Sequence, residues 1–203
     1  MHNMTMTRII VAVLVVLLCG CIPPSPTRPP GEVVHWQTTP VVVYVDDTIP
    51  QVLKDAVRSA ALQWNVAVGA ELLSVYELSG NSGHFVYAPR GTITVSSAEL
   101  GTMLVDISDY NEEALSDFAV VTILGENELT WNTVTGRAGH CMILFDYQVN
   151  SETAVPVAIH ELGHCLGLSH DRDSESIMYW SAVVSPRQHI MPDDADRIGA
   201  AIR

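Results

Sequence analysis

Val155 to His170 reads VPVAIHELGHCLGLSH, and the fold class turns on these sixteen residues. Pro156 suits the first turn of a helix, where a missing N–H costs nothing, and the residues from Val155 to Leu168 predict one helix. His160 and His164 stand four apart, so both imidazoles leave the same helical face, one turn above the other. Two neutral ring nitrogens at that spacing can converge on one cation at the ~2.0–2.1 Å that zinc requires. Glu161, beside the first histidine, can reach a water at the metal without being a ligand itself. Gly167 lets the backbone leave the helix in a sharp turn, which can swing His170 back as a third ligand. The pattern is H-E-x-x-H-x-x-G-x-x-H, followed by Asp171. With this chain's composition and independent positions, those five residues at fixed spacing should arise about 4 × 10⁻⁵ times per chain.

Downstream, Ser176-Ile177-Met178-Tyr179 places Met178 eight residues after His170. The histidine pattern followed by such a methionine turn resembles the metzincin metallopeptidases. The tail MPDDADRI, residues 191–198, is similar to the last helix of the matrixin branch, with Asp193 and Asp194 in a first turn where the helix dipole favours carboxylates. Asp171 after the third histidine is instead reminiscent of the adamalysin branch. The resemblance implies an α+β, metzincin-like fold: a twisted mixed sheet of about five strands packed on helices, with an active-site helix, a methionine turn and a C-terminal helix. It implies a zinc-dependent endopeptidase acting on protein or peptide substrates. One catalytic Zn²⁺ would be held by His160, His164 and His170, with Glu161 as general base and Met178 as an apolar floor under the metal. Trp180 occupies the position where some metzincins carry a tyrosine near the metal, so no tyrosine switch is expected. The alternative is a catalytically silent zinc-binding or adhesion lipoprotein that kept the fold. Glu161 discriminates between the two, because a binding module needs no base beside the metal.

Elsewhere in the chain, Val41 to Val45 (VVVYV) is a β-branched run that predicts a buried strand. Pro50 opens a helix whose stripe is Leu53, Val57, Ala60, Trp64 and Val68, and Gly69 ends it. Glu71–Leu78, Thr92–Ser96, Phe118–Leu124 and His140–Phe145 predict further strands. Glu99–Asp117 reads as an irregular acidic loop. Phe118–Leu124 is the expected edge strand for pairing an extended peptide substrate. A strand histidine such as His140 could ligate a second, structural zinc, although a plain strand residue explains it as well. Asp106, Asp109, Glu112, Glu113 and Asp117 could bind Ca²⁺, but they lack a recognised loop spacing, and a solvated acidic loop is the simpler account. His35, His84 and His189 have no evident partners in the sequence.

The 203 residues carry 10 Lys+Arg against 23 Asp+Glu, a formal charge of −13, so nucleic acid is excluded as a main partner. Residues 9–18, IIVAVLVVLL, form an apolar run half as long as a bilayer span requires, preceded by Arg8. The sequence Leu18-Cys19-Gly20-Cys21 resembles a bacterial lipobox, which implies cleavage before Cys21, lipidation of that residue and a membrane tether; an ordinary secretory peptide is the other reading. The proline-rich stretch IPPSPTRPPG, residues 22–31, predicts a stiff spacer. The expected organisation is a signal peptide over 1–20, a lipidated cysteine and linker over 21–32, and a monomeric catalytic domain over 33–203. Cys141 and Cys165 remain as an even pair in an exported chain, able to form a bridge or to stand as two buried thiols.

Overall fold

The structure, a computed structural model, describes residues 34–78, 90–100, 102–106, 118–122, 125–131, 137–179 and 188–201. The expected signal segment, Cys21 and the proline-rich linker lie outside the described residues. Among the described residues, seven strands and three helices follow in the order β1 (Val41–Asp46), α1 (Gln51–Val68), β2 (Leu73–Leu78), β3 (Thr92–Ala98), β4 (Thr102–Asp106), β5 (Phe118–Thr122), β6 (Gly125–Trp131), β7 (Ala138–Asp146), α2 (Ala154–Cys165) and α3 (Pro192–Ala201).

Five strands form one sheet in the order β2-β1-β3-β7-β6. The first four are parallel and β6 runs antiparallel to β7, which makes the mixed sheet of the expected fold class. Alternation places Val41, Val43, Val45, Ile93, Val95, Cys141, Ile143 and Phe145 in a common core with the apolar stripes of α1 and α2. Each such side chain, fully removed from water, contributes about 1.5–3 kcal/mol. α1 follows its sequence stripe closely: Leu53, Val57, Ala60 and Trp64 are buried, and Gly69 closes the helix at φ +72°. Positive φ strains any residue with a Cβ, which is why a glycine stops the helix there.

Two expectations need correction. Thr102–Asp106, expected within an acidic loop, is a strand that pairs antiparallel with β5. The apolar triplet Met103-Leu104-Val105 suits a strand, and the surrounding carboxylates obscured it. Phe118–Thr122 therefore belongs to a separate two-stranded ladder and not to the edge of the main sheet. That edge is β6, Gly125–Trp131, whose sequence GENELTW carries too much charge to read as a strand; it is specified by its register against β7. The other acidic residues proposed for calcium, Asp109, Glu112, Glu113 and Asp117, and also His84, lie outside the described residues.

Three long-range links hold α2 in place. The Trp64 indole Nε1 donates to the Ile159 carbonyl at 3.0 Å, fastening α1 to the middle of α2. The Trp36 indole donates to the Cys165 carbonyl at 3.1 Å, at the helix end where carbonyls lack intrahelical partners. A Cys141–Cys165 disulfide, with Cα atoms 5.6 Å apart, joins β7 to the last residue of α2. The sequence left that pairing open, and the fold closes it.

Candidate metal centre

α2 ends two residues before Gly167, which takes φ +99°. The Gly167 N–H donates to the His164 carbonyl and the Leu168 N–H to the Gly163 carbonyl, so the turn is tied back onto the helix as it reverses. This reversal brings His170 against the two helical histidines. One ring nitrogen from each of His160, His164 and His170 lies within 4.8 Å of the others. Their ring centroids stand 4.6, 4.8 and 5.3 Å apart.

Hydrogen bonding determines which nitrogens face inward. His160 Nδ1 lies 2.7 Å from the Ile177 carbonyl and His164 Nδ1 lies 2.8 Å from the Leu168 carbonyl. A carbonyl can only accept, so both Nδ1 atoms carry protons. In neutral rings both Nε2 atoms then present lone pairs, and these stand 3.0 Å apart. Two lone pairs at that distance repel unless a cation lies between them. Two ligands at ~2.0–2.1 Å from a tetrahedral zinc stand about 3.3 Å apart, close to the observed separation. The third ring, His170, has a buried Nε2 without a hydrogen-bond partner. Imidazoles that donate their outer N–H to a backbone carbonyl and aim the inner nitrogen at a shared point form a donor set suited to zinc.

Burial and neighbouring rings keep His160 and His170 in the form a metal needs. Burial, followed by repulsion from His164 and His170, holds His160 well below the usual histidine pKa, against the opposing effect of its bond to Ile177. Burial and then His164 bring His170 down to about 3. Neutral imidazole is the ligating species, so His160 and His170 are available to a metal across the whole physiological range.

Glu161 is fully buried on α2, next to His160. Its carboxylate lies against Gly125, the first residue of β6: a Cβ built on Gly125 would stand 2.5 Å from Glu161 Oε1. Met178 is also fully buried, packed so closely on Gly163 of α2 that a Cβ there would collide with its Sδ. The turn that carries Met178 also supplies the carbonyl that orients His160, and the Asp171 N–H donates to the Met178 carbonyl at 2.8 Å. One short segment thus braces the first ring and the chain just after the third.

The family model described as Matrixin matches residues 91–201, more than half of the chain. The chain belongs to the matrixins. Its fold class and its assignment as a zinc metalloendopeptidase follow from that membership. Among solved structures, that of myroilysin matches over 91% of this chain and 91% of its own, at 14% identity and a TM-score of 0.49. No curated protein matches the sequence.

The remaining candidate residues of this matrixin separate cleanly. His140 lies on β7, 3.2 Å from Thr94 Oγ1, and is not a member of the three-histidine cluster. Of the two tail carboxylates, Asp193 is exposed, whereas Asp194 is buried and ion-paired with Arg197. His189 is exposed and bridges to Ser176. Trp180 lies outside the described residues. Sequence reasoning missed Gly125, Gly163, the two tryptophan clamps and the carbonyls of Leu168 and Ile177. The carbonyls leave no side-chain signal, while the glycine in HELGH was a visible mark of close packing.

Proposed function

We propose that the chain is an exported zinc endopeptidase tethered to a membrane through lipid on Cys21. His160, His164 and His170 hold the metal, and Glu161 is the catalytic residue that moves the proton. The observation that supports this most is the pair of Nε2 atoms facing each other at 3.0 Å while both Nδ1 protons are committed to carbonyls, with a buried carboxylate one residue away.

Zinc, when bound, supplies a Lewis acid that polarises the scissile carbonyl and makes nearby water more acidic. The protein's residues do the rest. Glu161 accepts a proton from the attacking water and passes it to the nitrogen of the leaving amine. No described strand pairs with the outer side of β6, so an extended peptide can add to the sheet there, with its backbone groups matched to those of Gly125–Trp131. That places the substrate on the strand whose first residue touches Glu161. Met178 closes the floor, and its turn fixes the His160 ring. Lipid on Cys21 and the proline-rich segment over 22–31, able to span about 30 Å as PPII, would hold the folded body off the bilayer surface.

The test uses the full chain in detergent, incubated with a complex peptide library, with cut sites read by mass spectrometry. Cleavage abolished by a chelator and restored by zinc is expected. Retained zinc without any cut would instead indicate a silent zinc-binding lipoprotein.

A further inference from the structure

Glycine at the start of an edge strand is unfavourable, since it adds backbone entropy loss and no packing surface. Gly125 has no positive φ to excuse it: the positive-φ glycines of the described chain are Gly69, Gly91 and Gly167. Space explains it. A Cβ at position 125 would stand 2.5 Å from Glu161 Oε1, 2.9 Å from Glu161 Cγ and 2.9 Å from Val157 Cγ1. Two of those atoms belong to the one side chain proposed to move the proton. The carboxylate is fully buried on a helix held by the Trp64 bond, the Trp36 bond and the disulfide, so the helix has little freedom to withdraw. β6 is likewise fixed by its register against β7, in which Gly125 pairs with Phe145.

We infer that Gly125 is a positioning residue for the reaction: its missing side chain is the slot that seats the Glu161 carboxylate, so the strand that receives the substrate also sets where the base stands. This rests on the peptidase reading above. It assigns the glycine a role in turnover that its place on an edge strand does not suggest. Any side chain at 125 must displace the Glu161 side chain and Val157, or the strand itself. With the strand locked in its ladder, the carboxylate moves, and a misplacement near 1 Å can cost about 100-fold in rate.

The test is Gly125→Ala in the full chain, read in three ways. Its crystal structure should show the Glu161 carboxylate shifted with β6 in register and all three histidines in place. Its zinc content should equal wild type, with kcat lowered about 30-fold or more and KM within about threefold, a split that general loss of structure would not give. Thermal unfolding of Gly125→Ala, Glu161→Ala and the double variant provides a readout independent of catalysis and of crystals. The alanine at 125 should lower Tm by about 4 °C or more when Glu161 is present, and by clearly less in the Glu161→Ala background. An unmoved carboxylate with wild-type kcat, or an equal Tm loss in both backgrounds, would overturn the proposal. If wild type showed no chelator-sensitive cleavage, the peptidase reading would fail, while the structure and the melting cycle would still decide whether the slot exists.

Discussion

The two sides of Gly167 are built differently. On one side, α2 lies against a five-stranded sheet, fastened by two indole hydrogen bonds and a disulfide, with its buried face continuous with the core. On the other, residues 168–179 form no helix or sheet strand. They are held by single bonds such as Asp171 N–H to Met178 O and Ile177 N–H to His189 O, and by burial of Leu168, Ile177 and Met178. Two of the three candidate ligands come from the stiff side and one from the irregular side. A metal should therefore matter for structure mainly on the second side. α2 has its own supports, whereas the placement of His170 depends on the turn, the floor and whatever its inner nitrogen binds.

The largest effect should come from a change confined to the stiff side. Glu161→Gln keeps the shape of the side chain but cannot accept the proton, so turnover should fall about 10²- to 10⁴-fold with zinc content unchanged. Peptide cleavage rates beside metal analysis check this, and wild-type turnover in the variant would remove Glu161 from its role. Next, replacing Cys141 and Cys165 together by Ser removes a cross-link between residues 24 apart and should cost about 3 kcal/mol in denaturant unfolding. The loss should be accompanied by faster hydrogen exchange in α2 and β7. A third contrast uses chelation. With zinc at about 100 times its Kd, removing it should speed amide exchange at Asp171, Ile177 and Tyr179 by up to about a hundredfold and leave the centre of α2 nearly as protected as before. Equal acceleration before and after Gly167 would erase the distinction between the two sides.

The smallest effect concerns acid. Burial would raise the Asp46 pKa, but hydrogen bonds from the Thr48 hydroxyl and N–H, from the Ser96 hydroxyl, and the charge of Lys54 outweigh it and hold the group below its ordinary value. The unfolded chain therefore binds the proton first, near pH 3.9. Asp46 contributes stability above that value and loses it as pH falls through the lower, folded value. Asp46→Asn should cost on the order of 1–2 kcal/mol at neutral pH and flatten the acid limb of the stability curve, read by denaturant melts from pH 7 to 3. Because this carboxylate joins β1 to β3, the loss should leave the irregular side unaffected.

How legible the molecule was follows the same division. The helical stripe from Leu53 to Trp64, the β-branched run at Val41 and the histidine spacing are periodic signals, and each was readable because one face or one ligand set repeats along the chain. β6 was illegible: a polar edge strand is defined by its backbone pairing and not by its side chains. β4 was hidden by acidic neighbours. Of the candidate site, the clustering of the three histidines is legible in their spacing, and Glu161 and Met178 stand out by position in the pattern. The carbonyls of Leu168 and Ile177 and the seat provided by Gly125 arise from contacts between residues distant in sequence, which a linear pattern does not encode.

Metal analysis of purified wild type and of His160→Ala, His164→Ala and His170→Ala, at one free zinc concentration, is the sharpest check on the proposed centre. The expected result is about one zinc per wild-type chain, as a catalytic three-histidine site holds, and little or none in each variant. An empty wild-type protein, or full zinc occupancy without His170, would contradict it.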